Sequence, residues 1–176
     1  KNNLNKQKQN VGSSTIKETV ANSVAEACTA PTTTPASRCG EGVVTLTASG
    51  CTGEGATYTW YNHATAGTEL GTSTDGSFTT PSLSSSTTYS VTCTTNACTT
   101  SERSAIPITV TIPNAPTISA NGTTTFCERN SVVLTAASCN GSILWSSGQS
   151  GTTLTVTTSG TYTATCLVSG CTSSPS

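Results

Sequence analysis

Apolar and polar residues alternate along most of this chain with a period of two. Val44, Leu46 and Ala48 fall on one side of a stretch whose other side carries Thr45 and Thr47, and Tyr89, Val91 and Cys93 share a parity in the same way. A strand shows this pattern when one face packs inward and the other meets water. Strands are therefore expected at residues 43–48, 57–61, 78–80, 87–95 and 105–112, each bounded by Gly, Pro, Asn or Ser. A second series puts Val132, Leu134 and Ala136 on one face and continues at 143–145, 153–156 and 161–168. Ser169-Gly170 then reads as a two-residue hairpin turn, with Asn96-Ala97 in the matching place of the first series. Antiparallel sheets packed face to face, a β-sandwich, give this pattern.

The start of the chain differs. Residues 1–14 are polar and without apolar period, an arm. Thr15 to Glu18 has capping-box spacing, and Ile16, Val20, Val24 and Ala27 recur at helical intervals, so residues 16–27 suit a short amphipathic helix. An extended arm is the alternative, given the β-branched content. After Cys28, the Thr/Pro run at 31–35 reads as an extended linker or edge strand.

Four cysteines repeat as a frame: Cys39, Cys51, Cys93, Cys98, and again Cys127, Cys139, Cys166, Cys171. In both copies eleven residues separate the first two, four separate the last two, and a tyrosine stands four before the third. Trp60 and Trp145 each sit between the second and third cysteine of their copy. The repeat predicts two domains, 31–112 and 117–176, joined by a proline-bearing linker at 113–116 and preceded by the arm at 1–30.

The two copies end differently. After Cys98 the first runs on through Ala105, Ile106, Ile108 and Val110, a final strand, whereas Cys171 is followed only by residues 172–176. The second domain is expected to lack its last strand. Either the chain is a piece of a longer array, or another subunit supplies the strand by β-augmentation, with the N-terminal arm as donor.

Composition narrows the function classes. Charged residues are 9% of the chain, against about 25% in typical domains, and the net charge is −1. Four of the seven basic residues lie in the first 17 positions, so no clustered positive surface marks a nucleic-acid or anionic-membrane partner. No stretch approaches the roughly 20 apolar residues of a membrane span. Nine cysteines in a small Thr/Ser-rich chain imply an oxidising, extracytoplasmic compartment. The start has no apolar secretion core, which fits a removed signal or a piece of a longer polypeptide.

Phe126-Cys127-Glu-Arg-Asn-Ser131 through Ala136, Trp145-Ser-Ser-Gly148, and Gly160-Thr161-Tyr162 through Cys166 resemble the immunoglobulin-like repeats of large cell-surface adhesins and secreted multidomain proteins of Bacteroidota, the phylum of gliding bacteria and type IX secretion. Trp60-Tyr61 through Ala66-Gly67, Leu70-Gly71, Phe78 through Pro81, Leu83 and Thr87-Thr88-Tyr89 are similar to a companion repeat of those proteins. The resemblance covers residues 31–176, not 1–28, and no type IX sorting domain is visible. It implies an all-β fold of two tandem immunoglobulin-like β-sandwich domains.

The eleven-residue gap offers no zinc knuckle, so the cysteines read as disulfides. Four cysteines allow three connectivities per domain, and sequence alone does not choose. The inward parity of Cys93 favours Cys51–Cys93 and Cys39–Cys98, and correspondingly Cys139–Cys166 and Cys127–Cys171. The resemblance leans the same way, because simpler repeats keep the first and last cysteines. Cys28 is left over, either a free thiol, a residue paired outside this chain or an intermolecular cross-link.

Trp60 and Trp145 read as core residues, like the buried third-strand Trp of immunoglobulin domains. Tyr89 and Tyr162 stand four before a cysteine rather than two, which leaves open whether a corner hydrogen bond is shared. Tyr61, of opposite parity to Trp60, is a candidate sugar platform. The single His63 and single Asp75 fall in loops, no Gly-x-Ser-x-Gly elbow occurs, and one Asp does not make a calcium cage, so no catalytic residue, cofactor or metal is expected. Asn121 and Asn140 are glycosylation sequons where a host has the machinery.

The expected function is a non-catalytic structural or adhesive module of a secreted cell-surface protein, its repeats forming a stalk or filament shaft, with assembly by strand donation in view. The alternative is an accessory domain of a secreted enzyme, carbohydrate-binding or spacer. Expected partners are copies of the chain or neighbouring repeats, with a surface glycan or protein ligand as a further candidate and no nucleic acid.

Overall fold

A computed structural model describes residues 26–125, 127 and 130–176. The helix expected at 16–27 and the arm at 1–30 lie outside the described residues as far as residue 25. At their end Ala27 forms a parallel bridge with Thr99, so the chain there is extended.

The described residues are all-β, with no helix. Eight strands come first: β1 (Thr32–Thr33), β2 (Ala36–Cys39), β3 (Thr45–Ser49), β4 (Thr57–Tyr61), β5 (Glu69–Ser73), β6 (Ser77–Thr79), β7 (Thr87–Thr94) and β8 (Ser104–Thr111). Six follow: β9 (Thr117–Asn121), β10 (Val132–Ala137), β11 (Ser142–Trp145), β12 (Thr153–Val156), β13 (Ala164–Val168) and β14 (Cys171–Thr172). They make four sheets, in the orders β1-β3-β6, β2-β8-β7-β4-β5, β12-β10-β9 and β11-β13-β14.

The first two sheets share one buried cluster and the last two share another, which gives two sheet pairs. In the first pair Leu46, Trp60, Val91, Ile106 and Ile108 are at most 2% exposed. Phe78 stacks on Trp60 with ring centroids 5.5 Å apart. Each buried tryptophan also satisfies its indole N–H, Trp60 on Ser73 Oγ at 2.9 Å and Trp145 on the Gly151 carbonyl at 2.8 Å. Burying the ring without that bond would cost the desolvation of the donor.

The first strand of the first pair changes sheets. β1 pairs with β3, then the chain crosses past Pro35 and β2 pairs in parallel with β8, Cys39 opposite Thr111. Proline cannot donate to a ladder, so a switch point suits it. β9 pairs with β10 along its whole length, and among the described residues no counterpart of β2 follows it. The turn after β13 is the expected two-residue hairpin: Ser169 and Gly170 both have positive φ, 48° and 81°, and Val168 faces Cys171.

Candidate functional site

The groove of the second sheet pair is the site that the fold leaves open. Ile118 of β9, Val132 and Leu134 of β10, Val156 of β12 and residues 158–162 are among those that line it, around a volume of about 690 Å³. Its shape follows from the repeat. Val44, Leu46 and Ala48 of the first pair correspond to Val132, Leu134 and Ala136 of the second, each the same distance before Cys51 or Cys139. Leu46 is 1% exposed, whereas Leu134 is only half-buried. Tyr89 and Tyr162, four before Cys93 and Cys166, differ in the same sense: Tyr89 is 6% exposed and Tyr162 half-buried. The strand expected at 161–168 forms only from Ala164, because a strand exists by pairing and residues 161–163 have no ladder.

Tyr162 turns its hydroxyl back to donate to the Thr158 carbonyl at 3.2 Å, a corner bond to the backbone a few residues upstream. Tyr89 instead packs its ring against Phe78, centroids 6.3 Å apart, so the corner is not shared by the two copies. Burial of Tyr89 raises its phenol pKa above the ordinary value.

Four disulfides form: Cys28–Cys98, Cys39–Cys171, Cys51–Cys93 and Cys139–Cys166. The expected Cys39–Cys98 and Cys127–Cys171 pairings are therefore corrected. β2 runs parallel to β8, which places Cys39 beside Thr111 at the far end of that strand. Cys98 lies near the start of β8, about 23 Å away along seven residues of strand. Cys98 bonds Cys28 because residues 26–28 lie along Thr99, the Cys28 amide donating to its carbonyl at 2.8 Å. Cys28 is thus bonded within the chain, not held for an intermolecular cross-link. Cys171, at the hairpin after β13, bonds Cys39 and joins the two sheet pairs. Cys127 is an exposed free thiol.

A sequence signal for this connectivity exists. Cys28-Thr-Ala-Pro31-Thr32 returns as Pro113-Asn-Ala-Pro116-Thr117, and both segments lead into the strand that pairs with β3 or β10. Cys28 thus belongs to the first copy's frame, and the second copy carries Pro113 in its place, which leaves Cys171 without an in-frame partner.

The remaining candidates are held in local contacts. Tyr61 has the Arg103 guanidinium over its ring, 3.5 Å from the centroid, and Arg103 also donates to the Thr65 carbonyl at 2.6 Å. One face of the expected sugar platform is thereby covered by a cation–π contact. His63 lies exposed in the loop after β4, with Nδ1 2.9 Å from Asn62 Oδ1. Asp75 accepts from the Ser77 hydroxyl at 2.7 Å and the Ser77 amide at 3.0 Å, and those bonds hold its carboxyl below the ordinary value. Asn121 and Asn140 are both exposed. Among the described residues no group of three or more His, Cys, Asp or Glu is placed to hold a metal, and no helix is long and apolar enough to cross a membrane.

Residues 28–111 match a family model described as an Ig-like domain, CHU_C associated. This region is Ig-like. The match begins at Cys28 and ends at the close of β8, the stretch that Cys28–Cys98 and the β2–β8 ladder hold together. No curated protein matches the chain. Among solved structures it is similar to fibronectin(III)-like modules of Clostridium thermocellum CbhA, at 10% identity and a TM-score of 0.44, over 83% of this chain and 90% of that one. Domains FN1–FN3 of chicken CNTN1 align at 12% identity and a TM-score of 0.43, over 86% of this chain and 64% of that one. Immunoglobulin domains 1–5 of Sidekick-1 align at 16% identity and a TM-score of 0.34, over 85% of this chain and 38% of that one. The Ig-like region and the disulfides together support an extracellular protein with a structural or adhesive role.

Proposed function

We propose that the chain is a stalk-forming segment of a cell-surface protein, two tandem Ig-like modules at 31–112 and 117–176 that carry load or spacing rather than chemistry. The observation that carries this reading is the Cys39–Cys171 bond, which ties the far end of β8's neighbour to a hairpin of the second sheet pair. A cystine at that junction, beside the linker 113–116 with its two prolines, restricts the angle between the modules. A restricted junction suits a shaft, whereas a binding module on a flexible tether has no need of one. Surface adhesion in the manner of Bacteroidota adhesins, and end-to-end assembly through strand addition at the groove, belong to the same proposal.

Small-angle scattering tests it. A stalk segment gives one narrow, elongated distance distribution that broadens when the Cys39–Cys171 bond is removed. A distribution as broad with the bond as without it sinks the reading. Glycan-array binding lost on Tyr61→Ala would move the assignment to the accessory, carbohydrate-binding class.

A further inference from the structure

Each sheet pair has two unlike ends, and the cysteine frame marks both. Cys39 and Cys127 each stand five residues before a buried valine, Val44 or Val132, at the end from which β3 or β10 departs. Those strands run to the other end, where Cys51–Cys93 and Cys139–Cys166 close. The hairpin cysteines, Cys98 and Cys171, lie at that second end, just past the strands that carry Cys93 and Cys166. The Cys39–Cys171 bond thus joins the first-cysteine end of one sheet pair to the hairpin end of the next.

The two outer ends of the tandem carry the same two halves of a joint, not joined to each other. At the first-cysteine end of the second sheet pair Cys127 is exposed and free, although its frame equivalent Cys39 is bonded to a hairpin cysteine. At the hairpin end of the first sheet pair Cys98 is bonded to Cys28, whereas its equivalent Cys171 is bonded to a first-position cysteine. Cys98 is half-buried, so a thiolate can reach its sulfur, while Cys28, Cys51, Cys93, Cys166 and Cys171 are buried. Cys39 and Cys139 are also accessible, but no first-position cysteine pairs with either frame position.

We propose that Cys127 links one molecule to the next by thiol–disulfide exchange with Cys98 of a second molecule of this chain. The Cys127 thiolate attacks the Cys98 sulfur, the Cys127–Cys98 bond forms as the Cys28–Cys98 bond breaks, and Cys28 leaves as a thiolate that takes up the proton Cys127 gave up. One thiol and one disulfide enter and one of each comes out, so no oxidant is consumed. The new joint repeats Cys39–Cys171 between molecules, and because it unites unlike ends it does not stop at a dimer. The bond that breaks closed a separation of 70 residues within one molecule, and its replacement closes none, so the exchange runs forward only at high concentration. The inference rests on the stalk reading in taking the Cys39–Cys171 joint as the unit that recurs.

The oxidised whole chain, held at mildly alkaline pH over a range of concentrations without reductant or added oxidant, tests the proposal by non-reducing electrophoresis and mass spectrometry of linked peptides. The expected result is a ladder of dimers, trimers and longer species that a reductant collapses. The ratio of dimer to monomer should rise roughly tenfold for each tenfold in monomer. The linked peptide should join Cys98 to Cys127, with one Cys28 thiol per joint, alkylated after denaturation without reduction. Cys127→Ser should lose the ladder and keep all four intrachain cystines. A ladder that survives in Cys127→Ser, a product that stops at a Cys127–Cys127 dimer, linkage to Cys39 or Cys139 in place of Cys98, or a chain that stays monomeric at every concentration overturns the proposal. Scattering from monomeric Cys127→Ser tests the stalk reading by itself, so the two can fail separately.

Discussion

The first and second sheet pairs are built from one frame, yet only the first is closed. Val44, Leu46 and Ala48 have their counterparts in Val132, Leu134 and Ala136, Trp60 has Trp145, and Cys51–Cys93 has Cys139–Cys166. The difference is β8. With it, the first pair has a five-stranded sheet, a first strand that crosses over to pair with it, and a tyrosine buried to 6% exposure. Among the described residues the second has no counterpart of β8; it has two three-stranded sheets, a first strand paired with β10, and a groove over Leu134. In the first pair β8 gives β2 its parallel ladder, because each ladder position is a property of two segments.

The largest test of this contrast removes each tryptophan. Trp60→Ala and Trp145→Ala should each cost about 3–5 kcal/mol through the lost burial and the cavity left behind. With its thinner cluster the second pair should unfold outright, and amide NMR should then show the signals of residues 28–111 retained. One cooperative transition for both pairs would break the comparison.

Next in size are the matched disulfides. Removing Cys51–Cys93, a separation of 42 residues, should cost about 4 kcal/mol of loop-closure entropy, and removing Cys139–Cys166, a separation of 27, slightly less. Urea midpoints of the two double alanine variants measure both losses, and the second should fall to a lower midpoint because it starts from less.

A smaller effect separates the tyrosines. Burial raises the folded-state pKa of Tyr89 above its unfolded value, so the neutral phenol favours the fold. That contribution is full below about pH 10, where the unfolded tyrosine ionises, and is lost as pH rises through the folded pKa. Denaturation midpoints of the first pair should therefore fall more steeply on the alkaline side than those of Tyr89→Phe. Smallest of all, iodoacetamide without denaturant or reductant should label one cysteine, Cys127, with no change in either midpoint.

Much of the fold was legible in the alternation. Residues 57–61 and 153–156 are strands as expected, since a two-residue period in Thr, Tyr, Trp, Leu and Val has no helical reading. β5 was not legible: Glu69-Leu-Gly-Thr-Ser73 has one apolar residue and lies at a sheet edge, held by pairing with β4 more than by burial. Nor was β9, which offers Ile118 and little else. The groove was half legible, because the absence of a β8-like segment after Cys171 showed in the sequence but its volume and lining did not. Cystine connectivity was the least legible. Parity places a cysteine on a face, but which end of the sheet it occupies depends on the crossing past Pro35 that sets β2 beside β8.

The Cys39–Cys171 bond also fixes how the chain answers tension. It spans 132 residues of sequence, which fully extended would reach roughly 450 Å. Drawn from its two termini, the polypeptide passes force through the cystine, so everything between those two sulfurs is bypassed and lends no length. An oxidised segment should therefore lengthen little before it breaks, and in a single-molecule pulling trace the loss of this one bond should release only the contour outside the loops that Cys28–Cys98 and Cys139–Cys166 still close.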